Sequence, residues 1–315
     1  MVTTPADAIL AGPRGRRLCL ELATSFPVSD LKHLAAAIDA LDLTRLTPAR
    51  IQAALGRAVD SAMYWQEPDG TDVLAAEPLL RTALRGVAEH VTASPSTDWF
   101  TESRRPEQWA IAWHADRTWP PLPTNPQHTL QQWARDTRVE EEHAAHNPHA
   151  FDTGHWWSMP LGLVTTVGHL PETLNLVEDG FGWEGATTIP VRGSGRTFEV
   201  RSPDDWIVLC RTYPLEVTAS RGPDWFRATG RSGRWVIPDW ERVATEWDAV
   251  HLTPLAYLSG ATRALPVDAD TATVIAGWDP GRTIWLTDVV TETDSPRREW
   301  RLDHGPDGEA WVPAR

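Results

Sequence analysis

The chain has 315 residues, 41% of them hydrophobic, and a formal charge of −14. That length supports two domains, or one large domain with a helical annex, and the acidic balance argues against general binding of nucleic acid or anionic membrane. No apolar run approaches the roughly 18 residues a membrane span needs, and MVTTPADAIL lacks the basic and apolar pattern of a secretory signal.

The basic side is almost wholly arginine, with Lys32 the single lysine, so nearly every fixed cation is a guanidinium suited to bidentate contact with phosphate or carboxylate. Cys19 and Cys210 lie in the apolar segments LCLEL and IVLCRT and read as buried free thiols, which places the protein in the cytoplasm. Eighteen tryptophans stand against three tyrosines and six phenylalanines. They are dispersed from Trp65 to Trp311, so most read as core, with a few left to line a groove for a flat ring, a sugar or a base.

The first 125 residues read mainly as helices. Residues 7–25 start with a helical turn that GPRGRR breaks; this arginine-rich turn lacks the spacing of a phosphate loop, and Arg14, Arg16 and Arg17 are available to an anion or to a cluster of carboxylates. A helix over 29–41 takes Ser29 as its cap. Thr47-Pro48 opens a second helix with Ile51, Leu55 and Val59 inward, and Glu77-Pro78 a third with Leu80, Leu84, Val87 and Val91. Residues 94–108 read as loop, and 108–114 as strand or helix.

The proline-rich stretch 116–128 marks a boundary, giving regions 1–125 and 126–315. A polar surface helix covers 129–146. Its end, EEEHAAHNPH, sets Glu140 three residues before His143 and Glu142 four before His146, but no second Glu-x-x-His occurs, so no metal is expected.

From Phe151 onward short strands dominate: 174–179, 186–191, 196–200 and LEVTAS. Ser202-Pro203 opens a helix with Trp206, Leu209 and Cys210 inward; 220–233 reads as a long loop; 271–279 and 282–290 read as a hairpin around Asp279-Pro280-Gly281; and the tail after 291 reads as an edge strand. Between them, Arg234–Ile237 is a strand, Asp239 caps a helix with Trp240, Val243, Ala244 and Trp247 on one face, 248–252 is a strand, and Thr253-Pro254 starts another helix. The fold class is α+β: a mostly helical N-terminal region, then a mixed, largely antiparallel β-core with interposed helices.

Three features are candidates to converge on a site: GHWWS, the arginines of 220–234, and Glu246, Asp248 and His251. RTFEVRSPDDWIVLCRTYP followed by WVIPDWERVATEWDAVHLTP resembles bacterial ADP-ribosyltransferase-like toxin domains over residues 150–290. The resemblance implies a split β-core with NAD, as substrate, in its cleft. Trp156 or Trp157 would stack on a ring beside Ser158, Arg227 or Arg231 would hold phosphate, and His251 with Glu246 would orient the ribose. The chain departs from that family in having His251 where an acid is usual, and in only echoing the Ser-Thr-Ser strand with Ser158 and Thr165-Thr166. Beside an NAD-using transferase or glycohydrolase, of the toxin or effector kind, stand two other readings: a protein-interaction module, and an enzyme of another class acting on a small polar metabolite.

Overall fold

The computed structural model describes residues 4–24, 30–113, 122–147, 154–180, 182–305 and 308–314. Helices α1 (Pro5–Ala11), α2 (Pro13–Ala23), α3 (Leu31–Asp39), α4 (Pro48–Asp60), α5 (Gly70–Ala76), α6 (Pro78–Ala83) and α7 (Arg85–Ala93) come first. A 3-10 turn at Pro95–Thr101 leads into β1 (Glu107–Trp113), followed by α8 (Pro126–His146) and β2 (Thr165–Val167). Then come β3 (Gly185–Gly193), β4 (Thr197–Val200), α9 (Pro203–Thr212), β5 (Pro214–Glu216), α10 (Thr218–Thr229), β6 (Arg234–Pro238), α11 (Trp240–Val243), β7 (Ala249–Leu252) and α12 (Pro254–Gly260). Strands β8 (Leu265–Pro266), β9 (Thr271–Thr273), β10 (Arg282–Trp285), β11 (Val290–Glu292), β12 (Arg298–Gly305) and β13 (Gly308–Pro313) complete the chain.

The class is α+β. The larger sheet runs β13-β12-β3-β1-β2-β10-β7-β4, with β11 also on β3, and the smaller runs β5-β6-β9-β8. Pairing is antiparallel except β4 with β7 and β6 with β9. Strand β1 lies between β2 and β3, so the sheet crosses the expected boundary at 125. One core holds Ile9, Leu55 and Val91 of the helices together with Val200, Val250, Leu252 and Ile284 of the sheet. Residues 116–121 of the boundary stretch, like Ser29 and His149, lie outside the described residues.

Many local signals act as read. Asp239 caps α11 by accepting the Arg242 N–H, and Thr253 caps α12 by accepting that of Ala256. Ser202 caps α9, whose Trp206, Leu209 and Cys210 are fully buried. Cys19 and Cys210 are free and buried, and burial pushes both thiols up to about 12. Strands β12 and β13 form a hairpin at the edge of the larger sheet. No helix among the described residues is long and apolar enough to cross a membrane.

Five expectations change. GPRGRR is not a turn but a sharp corner and the first turns of α2. Its glycines serve close approach: a side chain at Gly12 would collide with the Leu258 carbonyl of α12, and one at Gly15 with the Ile9 carbonyl of α1. Residues 174–179 form no strand; a 3-10 turn occupies Glu172–Asn175. The expected loop 220–233 is mostly helix α10, despite Pro223 inside it. The Glu141 carboxylate of α8 accepts the N–H groups of Ala219 (2.7 Å) and Ser220 (2.8 Å), capping α10 from far along the chain. Residues 271–279 and 282–290 are no hairpin, because β9 joins the smaller sheet and β10 the larger. The helix at Trp240 is also only four residues long, although Trp240 and Val243 are buried as expected.

Candidate functional site

The residues singled out from the sequence do not meet in one cleft. Ser158 is fully buried, its hydroxyl and amide both bonded to Ala276 at 2.9 Å. Three side chains clamp the segment by its carbonyls: Trp225 Nε1 donates to Trp156, Arg221 Nε to Trp157 and Trp240 Nε1 to Ser158. Trp156 is buried between Tyr64 and Trp157, at ring separations of 5.1 and 4.6 Å. Gly277, at φ +72, has no Cβ and leaves room for the Trp157 ring. Arg227 donates to the Trp65 carbonyl, and Arg231 lies over Trp235 while donating to the carbonyls of Arg234 and Asp270. These bonds tie α10 and the smaller sheet to the aromatic segment.

His251 and Glu246 are separated by their surroundings. His251 lies on the face of β7 opposite Val250 and Leu252, which enter the helical core. It is 5% exposed, with Nδ1 2.9 Å from Thr283 Oγ1. Burial, aided by the nearby Arg104 guanidinium, drives its pKa down to about 3, so the ring stays neutral. Glu246 is exposed after α11, beside the Tyr213 hydroxyl. Asp248 binds the Arg196 amide (2.7 Å) and Thr287 hydroxyl (2.7 Å), closing a turn. Packing thus puts the His251 imidazole inside the sheet, while the Glu246 carboxylate stays exposed.

Glu178 is a buried carboxyl displaced well above the usual carboxylate range. Burial, then the neighbouring Asp279, raises its pKa to about 8, while the Tyr64 hydroxyl and the Trp278 amide bond to it. Asp279 in turn accepts the Glu178 amide and pairs with Arg282. This network joins Tyr64, in the segment after α4, to the 177–180 segment and the 277–282 turn.

Beyond that network lies a trough of about 1190 Å³, lined by α4, the 3-10 turn at 95–101, residues of 169–180, Gly182, Trp183 and β13. Aromatic rings line it in two groups. Trp99 packs against Phe100 and, at 4.9 Å and 32°, against His169. Trp113 stacks on Trp183 at 5.1 Å and 8° and meets Trp311 at 5.6 Å. Arg57, Arg105, Asp60, Glu102 and Glu172 supply charge.

His169 is the titratable group best placed in this wall. Its Nε2 lies 3.2 Å from Glu102 Oε2, and its side chain is 17% exposed. Burial, then Arg105, lowers its pKa below the usual histidine value, so the ring is neutral near pH 7. Glu102 is held below the usual carboxylate range, chiefly by the hydrogen bond from Arg105, and remains ionised. The bond to Glu102 requires the proton on Nε2, leaving Nδ1 as the lone-pair nitrogen. No protein group bonds to Nδ1 among the described residues. A neutral imidazole oriented by a carboxylate at a groove wall can accept a proton.

No motif marked His169, which sits in the plain sequence GHLPET. The available signal was the tryptophan excess, since a groove lined by a few of them was one reading of it. Among the described residues no group of three or more His, Cys, Asp and Glu is placed to hold a metal. Compared with family models, curated proteins and solved structures, the chain matches none.

Proposed function

We propose that the trough is the active site of an enzyme that binds NAD or a related dinucleotide and cleaves it at the nicotinamide ribose, with His169 as general base. The observation that carries this reading is His169 itself: neutral, held by the ionised Glu102, and with Nδ1 unclaimed in the wall of a large aromatic trough. The two aromatic groups supply faces for two planar rings, and Arg57 and Arg105 supply donors for a pyrophosphate between them. As the ribose C–N bond breaks, its electron pair goes to the nicotinamide ring and positive charge grows on the sugar, which Glu102 and Glu172 favour electrostatically. Water, or an acceptor hydroxyl, bonds to the ribose carbon and gives its proton to Nδ1 of His169. The two buried free thiols support work in a reducing, cytoplasmic setting.

Calorimetric titration with NAD, paired with an assay for released nicotinamide, tests the reading on the wild type and on His169→Gln. Binding with turnover in the wild type, and binding without turnover in the variant, is the expected pair of results. A wild type that neither binds nor cleaves NAD removes the dinucleotide reading. Turnover undiminished in His169→Gln removes the imidazole from the chemistry.

A further inference from the structure

The arginines of GPRGRR lead to a second pocket, separate from the trough. It encloses about 490 Å³ between the start of α2, the 61–78 segment, the end of α10 and Thr262-Arg263. Arg14 and Arg17 are already matched there. Arg14 pairs with Asp72, and Arg17 with Asp69 (2.9 Å), Glu21 (2.8 Å) and Asp72 (3.3 Å).

Arg16 and Arg263 are not matched. Nη1 of each donates to the Ala11 carbonyl, at 3.0 and 3.2 Å, and Arg16 Nη1 also reaches Leu10. The Nε of each is buried with no hydrogen-bond acceptor. The outer Nη2 of each has no acceptor among the described residues and is the donor left to an anion in the pocket that both side chains line. Burial first, then Arg81 and Arg263, pulls the Arg16 pKa down to about 10, against a smaller upward pull from Asp72. In so acidic a chain, two adjoining unmatched guanidiniums are the reverse of the surface average.

We propose that this pocket binds a phosphate group, as free phosphate or as the phosphate of a small monoester, between Arg16 and Arg263. A tetrahedral dianion can take donors from two guanidiniums that approach from different sides, as a planar carboxylate does less well. The remaining volume accommodates a small organic group. Glu67 and Glu77 also line the pocket and oppose the anion.

Calorimetry of the full chain with inorganic phosphate, glycerol phosphate and citrate at low ionic strength tests the proposal. Phosphate or its monoester is expected to bind, citrate at least tenfold more weakly, and Arg16→Gln/Arg263→Gln to lose phosphate binding by tenfold or more. Tighter binding of the monoester than of free phosphate assigns the rest of the volume to an organic group; equal binding assigns the site to phosphate alone. Since Arg16 and Arg263 also cap α1, Glu67→Gln/Glu77→Gln is a second variant, expected to bind phosphate several-fold more tightly. No phosphate binding by the wild type, equal binding by the double arginine variant in its folded form, or no change on neutralising Glu67 and Glu77 would each overturn the proposal.

Discussion

His251 and His169 are both held neutral, mainly by burial, yet they occupy opposite kinds of place. His251 sits inside the larger sheet at 5% exposure, with Thr283 on Nδ1. His169 sits in the wall of the trough with a carboxylate on Nε2 and, among the described residues, no partner on Nδ1. A lowered pKa alone therefore does not mark a reactive group. The distinguishing feature is an unfilled hydrogen-bonding position on a residue that lines a trough.

The largest effect that would separate the two is catalytic. His169→Gln should cut NAD turnover by about 10²–10⁴-fold, the usual contribution of a general base, while changing stability by less than about 1 kcal/mol. Steady-state kinetics and urea unfolding on the same preparation give both numbers. His251→Ala should do the reverse, costing roughly 2–4 kcal/mol of stability through lost packing and a stranded Thr283 hydroxyl. The turnover of its folded fraction should stay within a few-fold of wild type; a large loss there would return His251 to the chemistry.

Acid should sharpen the contrast. The His251 pKa is about 3 in the fold against 6.5 for the free side chain. Between those values the unfolded chain binds more protons, so this contribution to stability is full above about pH 6.5 and falls as pH drops toward 3. In His251→Gln the urea midpoint should fall less between pH 7 and pH 5 than in the wild type, and parallel pH curves would show that the imidazole is not the source. A smaller effect is expected at the trough, where Trp183→Ala should weaken NAD binding by about 2–10-fold, the loss of one stacking face. Smallest of all, Glu246→Gln should leave turnover unchanged and stability within about 0.5 kcal/mol, because that carboxylate is exposed. A substantial loss of activity in Glu246→Gln would collapse the distinction between buried and accessible groups drawn here.

Signals that act within one or two turns were legible in the chain. Caps at Thr47, Ser202, Asp239 and Thr253, and the apolar faces of α4 and α9, follow from neighbours a few residues apart. The α+β class followed from the same local patterns, as did the buried cysteines. What failed had distant causes. Helix α10 holds its place through Glu141 on α8, and Gly12 and Gly15 read as breakers because the helices pressed against them were not visible. The apparent hairpin at 271–290 divides because each strand finds better partners in a different sheet.

The same limit governs the candidate site. Its tryptophans were conspicuous by number, but which of them line a groove depends on contacts among Trp99, Trp113, Trp183 and Trp311, spread along most of the chain. Sequence by itself determined residue type, local period and helix ends, because those depend on interactions between near neighbours. Tertiary structure alone decided which polar groups are used up internally and which remain open, because burial and hydrogen-bond partners come from segments far apart in the chain.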